Sequence, residues 1–136
     1  MEYIAISNNI KITPRKVRLV VDAVKKQEIK AAISALTVMD KRAAGPIKKA
    51  IDSAIANAVN NFSAKKDDLV IKDIMVTDGT TLKRFHFAGR GRTRPYQRRS
   101  SHIRVILSDN KIKNQEPKTK TREDVQKEEK KKGETK

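Results

Sequence analysis

The sequence predicts an α+β fold, on three observations. Apolar residues recur at helical spacing through residues 13–62. They then alternate at strand spacing through residues 69–107. A glycine-containing break, "AGRGRTRP", splits this second region into the two arms of a hairpin.

Taken in chain order, "YIAI" (Tyr3–Ile6) reads as a short strand, and Ile10 and Ile12 extend an alternating pattern after Ser7–Asn9. Thr13 suits a helix cap, and Pro14 suits the first helical position, where no N–H is needed. Val17, Val20, Val21 and Val24 then form a single apolar stripe. A second helix is expected from about Glu28 to Val38, with Ile29, Ala32, Ile33 and Leu36 on its stripe. Asp40 is the expected cap of a longer third helix running to Phe62, its stripe made by Ala44, Ile47, Ile51, Ala54, Ile55, Ala58 and Phe62. Gly45-Pro46 requires that helix either to start late or to bend, because proline fits a first turn but kinks an interior. Three neighbouring stripes cannot all be buried on one another, so a sheet or a partner has to complete the core.

In "LVIKDIMVTDG" strict alternation groups Val70, Ile74 and Val76 on one face and Leu69, Ile71 and Met75 on the other. "TLKRFHF" (Thr81–Phe87) continues as strand, and "HIRVIL" (His102–Leu107) turns Ile103, Val105 and Leu107 the same way. Arms of about eleven residues would reach roughly 36 Å, more than a small body covers, so part of the hairpin projects. Residues 1–110 are thus one domain with an extended hairpin at about 80–104. Residues 111–136 contain ten basic and six acidic residues and few large apolar ones. That composition predicts a disordered or partly helical C-terminal tail, the helix lying near Glu123–Lys131.

The 136-residue chain carries 32 Lys and Arg against 16 Asp and Glu, a net charge of +16. Like charges repel in any compact state, so this excess calls for an anionic partner. The charge is unevenly placed. Arg84 to Arg104 holds seven arginines, and no acid occurs between Asp78 and Asp109. Phe85, Phe87 and Tyr96 are interleaved with the arginines. Arginine grips phosphate through a planar fork, and aromatic rings stack on bases, so the stretch reads as nucleic-acid binding rather than as a solvated face. A second basic group, Arg15, Lys16 and Arg18, lies on and beside the first turn of the first helix, where cations oppose the helix dipole and an external anion would reverse the penalty. A membrane surface fits less well, because the chain has no Trp and its densest charge lies on strand and turn. With no cysteine, no long apolar span and no signal peptide, the expected setting is cytoplasmic.

Catalysis finds no footing. Ser101 and His102 are strand neighbours and diverge, and no acid lies nearby in sequence to orient His86 or His102. No His, Asp or Glu grouping has metal-ligand spacing. Neither a catalytic residue nor a cofactor is expected.

Five segments resemble a single family in order and spacing. They are "ITPRKVRLVVD", "KRAAGPIKKAIDSAIANAVNN", "LKRF", the Gly91-Arg92 pair and "RRSSHIRVILSD", together spanning Ile12 to Asp109. The family is that of the twenty-second protein of the bacterial large ribosomal subunit. The resemblance implies three helices packed on a three-stranded antiparallel sheet, with a long protruding β-hairpin along the wall of the nascent-peptide exit tunnel. It implies a structural role in the cytoplasmic ribosome, in assembly as well as in the tunnel. The implied partners are large-subunit ribosomal RNA, neighbouring large-subunit proteins and the nascent polypeptide. By position it gives RNA contact to Arg15, Lys16 and Arg18 on the first helix and to Lys83 and Arg84 at the hairpin base. It does the same for Arg90, Arg92 and Arg94 near the tip and for Arg98, Arg99 and His102 on the returning arm. The tip itself is Ala88, Gly89, Arg90, Gly91, Arg92 and Thr93, and this chain has Phe87-Ala88-Gly89 where the family often has a Pro-Arg-Ala run. Asn57 lies in the matching "AIANA" segment with its role open. The rival reading is a free architectural nucleic-acid-binding protein, which would bind DNA and RNA alike.

Overall fold

A computed structural model describes residues 1–109; the expected tail at 111–136 lies outside the described residues. The order is β1 (Glu2–Ile10), α1 (Pro14–Val24), α2 (Ile29–Val38), α3 (Ala44–Phe62), a single 3₁₀ turn (Lys66–Asp68), β2 (Leu69–Phe87) and β3 (Thr93–Asp109). The three strands form one antiparallel sheet in the order β1-β3-β2. All three helices cover the same face. α3 packs chiefly on β1 and β3, α1 packs on β2 and β3, and α2 joins α3 to β2. This sheet completes the core that the helical stripes require.

The helices follow their stripes. Thr13 precedes α1 in an extended conformation and Pro14 opens it, although the Thr13 hydroxyl makes no capping bond. Val17, Val20, Val21 and Val24 are all buried. α3 starts late: Ala43, not Asp40, stands at its N-cap, and Pro46 is its third residue. Within the first turn proline's missing N–H has no intrahelical acceptor to lose, so the helix needs no bend. Ile47, Ile51, Ala54 and Ala58 are buried, while Phe62 is half exposed and sets its ring 5.2 Å from that of Tyr3. Asn57 donates its amide N–H to the Ile4 carbonyl at 3.1 Å, fastening α3 to β1.

β1 is a single strand rather than the short Tyr3–Ile6 segment, and its register slips between Ser7 and Ile10, with Asn9 at φ 54°. In β2 the strict alternation expected from sequence fails. Ile71 pairs with Leu107, but Asp73 pairs with Ile106, so β2 holds one extra residue there. This bulge reverses the facing of everything after it. Leu69, Ile71 and Ile74 are buried under the helices with Val76 partly covered, and Met75 faces out, 48% exposed. On the central strand Ile103, Val105 and Leu107 are all completely buried.

The bulge is held by Asp73, whose Oδ1 accepts the Ile74 N–H at 2.8 Å and lies 2.6 Å from Lys25 Nζ. The hydrogen bond from Lys25 holds this carboxyl below the usual carboxylate range, although burial acts the other way. Lys30 does the same for Asp67. A carboxyl depressed in the folded state contributes stability above its unfolded pKa, and that contribution is lost as pH falls through the folded pKa. Urea midpoints are therefore expected to hold level down to about pH 5 and to fall below about pH 4. Asp73→Asn should flatten part of that acid slope.

A third irregularity marks where the hairpin leaves the body. Asp78 pairs with Ser101 and Thr81 with Arg99, which again places one extra residue on β2. A Cβ on Gly79 would lie 2.6 Å from Ser100 Oγ and 3.1 Å from the Ser100 carbonyl carbon. Ser100 Oγ is itself committed, donating to the Thr80 carbonyl at 2.6 Å. Gly79→Ala is expected to cost about 1–3 kcal/mol by overpacking, read as a lower thermal midpoint. An unchanged midpoint would mean that the neck can spread.

Candidate nucleic-acid interface

Beyond this neck, seven residue pairs from Thr81↔Arg99 to Phe87↔Thr93 form a two-stranded finger. At about 3.4 Å per residue it extends roughly 24 Å. Every residue from 81 to 99 is exposed except Ala88, which is half-buried. None belongs to the hydrophobic core. The tip closes through Ala88 N–H to the Arg92 carbonyl at 2.7 Å, with Arg90 and Gly91 both at positive φ, 58° and 66°. Two positive-φ residues are what a tight hairpin turn needs to match strand twist, and Gly91 meets this without strain.

The cross-strand register sorts the finger's side chains. Leu82, Arg84, His86, Arg94, Tyr96 and Arg98 share one face. His86 and Tyr96 stack there, with ring centres 4.2 Å apart and planes within 9°. Lys83, Phe85, Phe87, Pro95 and Arg99 share the other face, where Phe85 and Phe87 meet edge-to-face at 5.6 Å. The faces are therefore unlike. One is arginine-rich around a stacked pair, and the other is mixed, with two exposed phenylalanines. Arg90 and Arg92 project at the turn. Among the described residues no arginine of the finger makes an ion pair.

Two of the expected contact residues have intramolecular partners at the neck. Arg18 donates from Nη2 to Asp78 Oδ1 at 2.9 Å and to the Val76 carbonyl at 3.2 Å, tying α1 to the strand that becomes the finger. His102 accepts the Asn9 N–H on Nδ1 at 3.1 Å, bracing the β1 irregularity against β3. Ser101, completely buried, donates to the Ile12 carbonyl at 3.0 Å. These contacts aim the finger. Arg15 and Lys16 stand exposed on the first turn of α1, which holds no acid.

Sequence reasoning passed over Lys11, Lys41 and Arg42. With Lys16 and the β3 segment Tyr96–Arg99 they line a groove of about 870 Å³ between α1, the α2–α3 connection and the finger's base. In sequence these residues are scattered among ordinary surface lysines. Lys41 and Arg42 are neighbours in the chain, but nothing in the sequence brings them beside Lys11, Lys16 and β3.

The architecture is thus a small helix-on-sheet body with a cationic two-stranded finger and a cationic groove at the finger's root. A family model described as ribosomal protein L22p/L17e matches residues 5–108, nearly all of the described body and finger. A Mesoplasma florum protein named large ribosomal subunit protein uL22 is 47% identical over 112 residues, covering 82% of this chain and all of that protein. The Mycoplasma capricolum protein of that name is 42% identical over 111 residues, with the same coverage of both chains. The Staphylococcus aureus protein of that name is 40% identical over 111 residues, covering 82% of this chain and 95% of that one. Body, finger and match together place this chain in the ribosomal protein L22p/L17e family.

Proposed function

We propose that this protein binds large-subunit ribosomal RNA through its finger and the adjoining surface of α1, supports subunit assembly, and lines the nascent-peptide exit tunnel with the hairpin tip. Membership of the family makes it a structural ribosomal protein of the cytoplasm and not an enzyme. The observation that carries the finer reading is the finger itself. Its cations have no internal ion-pair partners among the described residues, and its backbone contributes no side chain to the core. An exposed, unshielded two-stranded ribbon is costly for a free protein, both as self-repelling charge and as an open strand edge. Embedded among phosphates, the same arginines are neutralised and hold the arm in register. The unlike faces fit a wall position, the arginine-rich face toward RNA and the Phe85–Phe87 face toward a lumen or a neighbouring protein. Arg15, Lys16, Lys83, Arg84, Arg90, Arg92, Arg94, Arg98 and Arg99 carry phosphate contact. Arg18 and His102 contact RNA as well, while their bonds to Asp78 and Asn9 hold the neck. Ala88–Thr93 form the tunnel tip.

The test is a sucrose gradient of lysate in high salt, probed for this protein. Loosely held basic proteins are stripped, since phosphate-contact affinity falls steeply with salt. Stoichiometric migration with the large subunit is expected. Release into the soluble fraction would sink the reading in favour of a free nucleic-acid-binding protein.

A further inference from the structure

The groove at the finger's root has a feature that phosphate binding alone does not require. Its lining is rich in cations, with Lys11, Lys16, Lys41, Arg42, Arg98 and Arg99 set against the single carboxylate of Asp40. None of these six makes an ion pair among the described residues. Apolar side chains line the groove together with these cations. Ile12, Leu19, Met39 and Tyr96 all line it. Leu19 is 67% exposed although it sits on α1 beside the buried Val17 and Val20. The Tyr96 ring is already fixed by its stack on His86. One wall is the β3 edge from Tyr96 to Arg99, where β1 has ended at Ile10 and no strand covers the backbone.

We infer that this groove seats an unpaired RNA nucleotide, with Leu19 and Tyr96 as an apolar floor for its base and the surrounding cations as a rim for its flanking phosphates. This deepens the RNA-binding reading and rests on it. Charge complementarity selects the occupant. Six cations around one acid, none of them ion-paired among the described residues, exclude a basic segment and favour a polyanion. The apolar floor then separates kinds of polyanion. A duplex presents only phosphates and groove edges to a convex surface, and its bases stay stacked inside. A looped-out nucleotide offers a planar apolar body between two phosphates, which matches floor and rim together. The open β3 edge adds backbone donors and acceptors within reach of a ribose or base edge.

The experiment uses the full chain and a transcript of the large-subunit RNA, with affinity measured across a salt series and nucleotide reactivity probed chemically. Leu19→Ala and Tyr96→Ala remove floor but no charge. Both positions lie outside the core, and matching circular dichroism and melting will confirm that the variants fold. Each is expected to weaken binding by about tenfold at an unchanged log–log salt slope, as loss of base stacking does. One or a few unpaired nucleotides protected by the wild type should regain reactivity while the rest of the footprint persists. A Lys41→Gln/Arg42→Gln variant should instead lower the slope by about 1–2. If the floor variants bind and footprint like the wild type, the groove assignment is overturned and RNA binding stands. Equal competition by a blunt RNA duplex of matched length would overturn it in the same way. If the wild type itself gives no footprint, the RNA-binding reading fails and the groove assignment falls with it.

Discussion

Excising residues 82–98 and joining Thr81 to Arg99 through an Asn-Gly turn is expected to leave the body folded and to remove most of its RNA affinity. Thr81 and Arg99 are directly paired, so a two-residue turn can close the gap without disturbing the neck. The excised segment contains no core residue. It does contain six basic residues, Lys83, Arg84, Arg90, Arg92, Arg94 and Arg98, and no acid. Removing one cation from a phosphate lowers the log–log salt slope by about 0.7–0.9, so removing all six should lower it by roughly 4–5. At moderate salt that corresponds to a drop on the order of a thousandfold in affinity. Thermal melting should shift by only a few degrees. A body that fails to fold without the finger would contradict the separation between core and finger. A body that keeps full RNA affinity would move the interface to α1 and the groove.

The second large effect lies at the opposite end of β3. Leu107 is completely buried, paired with Tyr3 on one side and Ile71 on the other. Leu107→Ala removes side-chain volume at the centre of the sheet under the helices and leaves a cavity that flanking strands cannot close. The expected loss is about 3 kcal/mol, within the usual 2–5 for such truncations. Set against a total stability of about 5–15 kcal/mol for a domain, this is a large fraction. The thermal midpoint should fall by more than about 10 °C. Phe87→Ala, at an 86% exposed position on the same hairpin, should change stability by less than about 0.5 kcal/mol. Comparable losses at both positions would mean that the finger, too, is part of the folding unit.

The contrast between Leu107 and Phe87 also shows how far the sequence reaches. Alternation in "HIRVIL" identifies Ile103, Val105 and Leu107 as core, and all three are completely buried. The helical stripes of α1 and α3 are equally legible, because a helix repeats its facing every 3.6 residues and the pattern needs no knowledge of a partner. The acid-free window from Asp78 to Asp109 likewise marks the finger as cationic before any coordinate is known. Net charge and its placement are properties of the chain itself.

What the sequence could not determine depends on pairing. The facing of β2 after Lys72 reverses at a bulge, which exists only in relation to β3 and is held by a lysine from the end of α1. Strand period is counted from the strand's own residues, so one extra residue opposite a partner is invisible to it and flips every later side chain. The start of α3 at Ala44 rather than beside Asp40 shows the same limit at a helix end, where a competent cap residue is passed over. Arg18 and His102 read as contact residues from charge and resemblance. The fold gives them Asp78 and Asn9 as partners, far away along the chain and adjacent only once the neck has formed. The groove is the extreme case. Its cations come from β1's end, α1, the α2–α3 connection and β3, and no local pattern joins them. The helical stripes, the alternation of β3 and the cationic finger are legible in the chain, since each is written in neighbouring residues. The buried face of β2, the partners of Arg18 and His102 at the neck, and the gathering of cations and apolar side chains in one groove came only with the fold, because each is a distance between residues the chain keeps apart.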